Sequence, residues 1–351
     1  MNPLAADLDH VLDHTRPLWE ELRGERLFIT GGTGFFGSWL LESFLWANER
    51  LQLGASATVL TRSPQAFIAK TPHLALAENV TLLEGDVRNF AFPPGTFSYV
   101  IHAATQPGSA IEQLQANISG TQRTLDFART CGAEKILFTS SGAVYGKQPS
   151  ELTHIPEIYN GAPNTLDVGS AYGQSKRISE YICTVYAQKF AMKISIARCF
   201  AFVGPYLPLD ANYAIGNFIR DALRGGSIQI TGDGTPYRSY LYASDLTIWL
   251  WTILFIGRPS YAYNVGSEND LTIVQLAQTV REVIAPDIFI NVNRRPIVGN
   301  PVERYVPSVK RCQSELGLRV SIPLPEALRR TASWYSRVIH NEKKGEEDEI
   351  I

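Results

Sequence analysis

The chain has 351 residues, 45% hydrophobic and 19% charged, with a formal net charge of −2. That is length enough for one large or two closely joined domains. The near-neutral balance gives no electrostatic reason to expect nucleic acid or an anionic membrane as partner. Four scattered cysteines, Cys131, Cys183, Cys199 and Cys312, form no CxxC pair, so neither a disulfide framework nor a zinc site is implied and a reducing compartment is expected.

Along residues 1–24, Leu8, Val11, Leu12, Leu18, Trp19 and Leu22 recur at roughly helical spacing, broken at Pro17, which predicts one or two short helices ahead of the main domain. The amino terminus has no signal-peptide pattern, and the most apolar run, 248–257, is too short to span a bilayer, so the expected location is the cytoplasm. RLFIT (26–30), ATVLTR (57–62), VTLLEG (80–85), YVIHAA (99–104), KILFTSS (135–141) and KISIARC (193–199) read as strands. Their apolar residues are nearly continuous, as required when both faces of a sheet are covered. Helical stretches such as 110–131 and 171–190 lie between them, which predicts an α/β fold, a doubly wound parallel Rossmann sheet over residues 25–199. Shorter, mixed elements then predict a smaller substrate-binding lobe over 200–338, with segments near 240–265 returning to the sheet domain. The charged tail, 339–351, has little to bury and is expected to be flexible.

GGTGFFG (31–37) sits between the first strand and a helix-like stretch. Gly31, Gly34 and Gly37 there permit a tight turn, close approach of a pyrophosphate and close packing of helix on strand. The helix start offers unpaired N–H groups to the phosphates, so a dinucleotide is the expected ligand. At the end of the second strand an acid would favour NAD and an arginine NADP. The chain has Leu60-Thr61-Arg62-Ser63, which favours NADP(H) over the alternative NAD(H), unless Arg62 is merely a solvated loop residue.

SAYGQSK (170–176) sets Tyr172 and Lys176 four apart, on one face of a helix. A phenol is a poor base at neutral pH, but a neighbouring ammonium favours the phenolate, so the pair can pass a proton to or from a substrate oxygen. TSSGAVYG (139–146) is a hydroxyl-rich strand end about thirty residues earlier, from which Ser140 or Ser141 could reach the same oxygen. No metal-ligand cluster is visible.

With these three motifs in this order, the chain resembles the extended short-chain dehydrogenase/reductase family, specifically its nucleotide-sugar-modifying members. The likeness continues through RCFAFVGPY (198–206), GDGTPYRSYLYASDL (232–246) and YNVGSENDLTI (263–273), covering roughly residues 26 to 335. It implies that Gly31, Thr33, Gly34, Phe35, Phe36 and Gly37 carry the cofactor pyrophosphate, that Asp86 and Val87 sit at the adenine, and that Ala103, Ala104 and Thr105 line the nicotinamide side. Tyr172 is then the acid/base, Lys176 orients the ribose, and Ser141 is the family's Ser/Thr. Ser140, Ser141 and Gly142 would face the sugar. Arg238 would grip the diphosphate, with Arg304 a second candidate or else a surface ion pair. The family habit of dimerising through two sheet-domain helices implies a homodimer, here through 110–131 and 171–190.

The departures narrow the reaction. Dehydratases of the family place Asp-Glu after the catalytic Thr, and UDP-glucuronate decarboxylases keep the Glu; here Gly142 and Ala143 stand there. Neither can move a proton, so water elimination by that route is disfavoured. Many relatives carry Asn at the position of Ala201, which leaves open how the diphosphate is held. The expectation is an NADPH-dependent reductase of an NDP-4-keto-6-deoxy sugar at C4. An NDP-sugar 4-epimerase with retained NAD is the alternative, and a non-catalytic dinucleotide-binding module ranks lower.

Overall fold

Apolar runs that can be covered on both faces become the strands of one sheet. The structure, a computed structural model, describes residues 2–348 other than Pro107, Asn212, Val298 and Asn300, with side chains through Arg337. In chain order the first half holds α1 (Ala5–Thr15), β1 (Arg26–Thr30), α2 (Phe35–Leu51), β2 (Ser56–Thr61), α3 (Pro64–Lys70), α4 (Pro72–Ala75), β3 (Val80–Glu84), β4 (Tyr99–His102), α5 (Ala110–Thr130), β5 (Lys135–Ser141), α6 (Ala171–Phe190) and β6 (Ile194–Cys199). The second half holds β7 (Phe202–Val203), α7 (Ala214–Leu223), β8 (Ile228–Ile230), β9 (Tyr237–Ser239), β10 (Leu241–Tyr242), α8 (Ala243–Ile256), β11 (Ala262–Val265), β12 (Asp270–Thr272), α9 (Ile273–Ile284), β13 (Ile290–Val292), β14 (Arg304–Tyr305), α10 (Lys310–Leu316) and α11 (Leu324–Asp348).

Seven strands form the main sheet in the order β11-β6-β5-β4-β1-β2-β3, all parallel. All six predicted strands are present with ends within two residues of expectation, and β11 is an addition at one edge. The order reverses between β1 and β4, the switch point at which such sheets open a crevice at their carboxyl ends. One face is covered by α2 and α8, whose Phe44, Trp249, Trp251 and Phe255 are buried. The other is covered by α5 and α6 over a cluster that includes Phe28, Phe97 and Phe127.

The amino-terminal segment belongs to the first of these layers. Val11, Leu12, Trp19 and Leu22 are buried there, with the Trp19 ring 4.7 Å from Trp251. Side chains of this size contribute about 1.5–3 kcal/mol each on burial, which offsets the entropy of ordering the segment. Asp7 accepts from the Tyr242 hydroxyl at 2.7 Å and pairs with Arg330. The apolar run at 248–257 lies mostly in α8, buried from Ala243 to Phe255. No helix among the described residues is long and apolar enough to cross a membrane.

The smaller lobe packs α7, α9 and α11 around Phe218, Ile219, Leu276, Val280 and Leu328. It carries the three-stranded β12-β9-β14 and the pair β13-β8. The charged tail continues α11 as far as Asp348, and Glu349, Ile350 and Ile351 lie outside the described residues.

Candidate active site

Three of the four glycines of the first βα turn, Gly31, Gly34 and Gly37, differ in what surrounds them. Gly31 has φ +73°, and a β-carbon there would stand 2.5 Å from the Ala103 backbone. A side chain at Gly37 would meet the Gly32 backbone at 2.3 Å, so α2 packs directly on the loop. Gly34 is exposed, and a β-carbon there would meet only the Gly31 carbonyl, at 3.6 Å. Two glycines thus serve the chain's own packing, while the third leaves bare backbone facing outward at a helix start that no side chain caps. That arrangement suits a pyrophosphate.

A cleft beside it is lined by Thr30, Gly31, Thr33, Leu60, Thr61, Arg62, Gly85, Asp86, Val87, Ala104, Thr105, Gln106 and Ala116. Among the expected cofactor residues, Gly31, Thr33, Arg62, Asp86, Val87, Ala104 and Thr105 line it, while Ala103 supports Gly31 from behind. Phe35 and Phe36 are half-buried packing residues, Phe36 lying 5.2 Å from Phe202. Asp86 is held by Arg88 at 2.7 Å, which keeps its carboxyl below the ordinary range. Arg62 is exposed and makes no ion pair among the described residues.

At the carboxyl end of β5 the second group assembles. Lys176 is 2% exposed; its ammonium donates to the Thr139 carbonyl at 2.9 Å, and burial pushes its pKa down to about 8. Burial pushes the Tyr172 phenol up to about 12, opposed by the hydroxyl of Ser141. Ser141 also caps the short turn Gly142–Tyr145, accepting from Ala143 N–H at 3.1 Å. Ser140 points elsewhere. Successive strand residues face opposite ways, and its hydroxyl donates to Glu180 at 2.5 Å, with Glu180 paired to Arg198 at 2.7 Å. The structure therefore corrects the expectation that Ser140 faces the sugar, since a buried carboxylate already holds its hydroxyl.

The space above Gly142 is closed, which also corrects the expectation that Gly142 faces the sugar. A β-carbon there would lie 2.7 Å from the Phe200 ring and 2.8 Å from the Tyr305 hydroxyl. Tyr305 packs on Phe200 at 4.7 Å between ring centres, and its hydroxyl is 3.4 Å from Ser141 Oγ. It is brought there by register: β14 runs parallel to β9 with Tyr305 beside Arg238 and Arg304 beside Tyr237. The two pairs therefore face opposite sides. Arg238 shares the Tyr305 side and pairs with the half-exposed Glu303 at 2.6 Å. Arg304 takes the other side, bound to Asp270 at 2.6 Å and stacked on Tyr237. Of the two arginines expected at the diphosphate, only Arg238 shares a face with the site; Arg304 is an ion-pair residue.

The model of the NAD dependent epimerase/dehydratase family matches residues 27–266. UDP-glucuronic acid decarboxylase 3 of Arabidopsis thaliana is 31% identical over 312 residues, covering 86% of each chain. The chain belongs to the NAD dependent epimerase/dehydratase family. Among solved structures, a UDP-galactose 4-epimerase superposes with a TM-score of 0.69 at 25% identity, over 89% of this chain and 99% of that one. A UDP-glucose 4-epimerase of Thermotoga maritima superposes at 0.75 and 21% identity, over 90% and 99%, a likeness of fold.

Within this family member, sequence reasoning overlooked Tyr305 and the role of Phe200. Phe200 lies within the family-like run 198–206, where its ring was given no role, and Tyr305 sits outside the quoted motifs on a strand of two residues. Thr61, Gly85, Gln106 and Ala116 were also missed, though the strand-end positions of the first two were a usable signal.

Proposed function

We propose that this protein transfers hydride and a proton at C4 of a nucleotide sugar, as an NADPH-dependent reductase of an NDP-4-keto-6-deoxy sugar. The observation that carries the reading is the closed, acid-free position beside Ser141: Gly142 and Ala143 bear no titratable group, and Phe200 and Tyr305 fill the space. The reduced nicotinamide supplies the hydride. The chain's own part is to hold the keto oxygen between Ser141 and Tyr172, with Tyr172 giving its proton to that oxygen. A phenol pushed upward by burial is protonated at neutral pH, the form a reduction uses. Lys176 supplies the cation that makes the resulting phenolate tolerable.

Arg62 supports NADP over NAD, because it lines the cleft where the segment after β2, Arg62-Ser63, carries no acid, and the one acid among the described residues of the lining, Asp86, is held by Arg88. The exposed Arg62 guanidinium suits a 2′-phosphate. The same trio serves a 4-epimerase with retained NAD, a reading favoured by the likeness to UDP-galactose 4-epimerase. Mass spectrometry of nucleotide released on denaturing the purified protein separates them. Near-stoichiometric NAD⁺ points to the epimerase; little bound nucleotide, with NADPH binding more tightly than NADH, points to the reductase.

A homodimer is also proposed. Ile178, Tyr181 and Val185 form an exposed apolar stripe along α6, at 41%, 70% and 39% exposure. Light scattering that finds a monomer at micromolar concentration removes this part.

A further inference from the structure

A serine hydroxyl has one proton to give and two positions at which to accept. At Ser141 both acceptor positions have a neighbour: Ala143 N–H at 3.1 Å and the Tyr305 hydroxyl at 3.4 Å. The Ser141 hydroxyl makes the phenols of both Tyr172 and Tyr305 more acidic, so it stands between the two. Ser141 has one proton for these two tyrosines, so giving it to Tyr172 requires the 3.4 Å contact to run from Tyr305 to Ser141. Tyr305 keeps its proton for this, because burial drives its pKa upward. The separation is long for a hydroxyl pair, and catalytic contacts of this kind tighten when substrate closes a site.

We propose that Tyr305 is a positioning residue, whose hydroxyl donates to Ser141 and so makes Ser141 a dedicated donor to Tyr172 and the substrate oxygen they share. This rests on the acid/base reading of Tyr172. The arrangement exists because residue 142 is glycine: any side chain there would meet the Tyr305 hydroxyl at 2.8 Å and displace it. It also ties the two halves of the molecule together. Tyr305 comes from β14 in the smaller lobe, 164 residues from Ser141, so seating of that lobe sets the direction of a hydroxyl on the main sheet.

A double-mutant cycle tests the assignment. Y305F keeps the ring on Phe200 and removes only the hydroxyl. It is expected to lower kcat about tenfold, the effect of one hydrogen bond to a group that becomes charged, with KM changed less than about twofold. S141A is expected to lower kcat at least as much, and S141A/Y305F to be no slower than S141A alone, because Tyr305 acts only through Ser141. Losses that multiply in the double mutant, or a Y305F whose loss lies in KM, overturn the proposal. If Y305F lacks a cooperative thermal transition, G142A is the second variant; it displaces the hydroxyl sterically, and its loss must likewise vanish in the S141A background. Y172F separates the two layers of the argument. Turnover surviving in Y172F means the acid/base reading has failed, whereas an inactive Y172F with multiplicative losses condemns the Tyr305 role alone.

Discussion

Lys176 combines a cost to the fold with the use in the site proposed above, and both can be measured. Its ammonium is buried over Phe138 with the Thr139 carbonyl as its hydrogen-bond partner, and burial holds its pKa near 8 against an ordinary 10.5. The charge is therefore nearly complete at pH 7 and about nine-tenths lost at pH 9. If reduction needs the cation, kcat falls about tenfold across that interval. K176M removes the charge at every pH, so its rate at pH 7 should drop by roughly 10²–10⁴, the range for acid–base assistance, and the step between pH 7 and 9 should vanish. Stability should move the other way. With the folded pKa below the unfolded one, the unfolded chain binds more protons between about pH 8 and 10.5, so wild-type stability rises with pH across that window. At pH 7 the buried charge costs the native state about 3 kcal/mol, and K176M recovers up to that amount, less the hydrogen bond to Thr139. Initial rates at saturating NADPH and keto sugar, with thermal denaturation of both proteins, read the two effects. A wild-type profile flat to pH 10, or a step that persists in K176M, refutes the reasoning.

Replacing Arg62 by alanine should weaken NADPH binding at least about tenfold, the worth of one charge-assisted contact to phosphate, and leave NADH binding unchanged; equal losses for both cofactors would remove Arg62 from the 2′-phosphate. Gly34→Ala should fold normally and bind dinucleotide poorly, whereas Gly37→Ala, 2.3 Å from Gly32, should lose at least about 1–3 kcal/mol of stability. Reversal of that order in calorimetry and cofactor titration counts against the assigned glycine roles. His102 is buried between Thr30 and Thr121, and burial pushes its pKa down to about 3. Its folded pKa lies below the unfolded 6.5, so stability present at neutral pH is lost as pH falls from about 6.5 toward 3, approaching 1.4 kcal/mol per pH unit. His102→Gln should flatten that slope in denaturant titrations, and an unchanged slope contradicts it.

What the sequence made legible follows from how local each signal was. β1, the glycine turn and α2 are contiguous, so composition alone located them, and the continuous apolar runs announced strands covered on both faces. The helix that carries Tyr172 and Lys176 was bounded to the residue, Ala171–Phe190, because that pair marks its start and its apolar periodicity runs on unbroken. Ser140 and Ser141 could have been told apart by strand alternation. Tyr305 could not have been found this way. It reaches Ser141 only because a two-residue strand pairs with β9 in one register, and shifting that register by one residue would present Arg304 instead. The same register explains why two similar-looking arginines part company, Arg238 toward the site and Arg304 toward Asp270. Amino-terminal residues gave a helical pattern without an address, since an apolar stripe does not name the surface that covers it.

Whether hydride reaches C4 without loss of a substrate oxygen is read most directly with 4-deuterated NADPH and an NDP-4-keto-6-deoxyhexose, followed by location of the label in the product. The predicted result is one deuterium at C4, one NADPH consumed per product molecule, and no turnover in Y172F. Absence of label at C4, release of water or carbon dioxide from the sugar, or turnover in Y172F within a few-fold of wild type would contradict the assignment of this site.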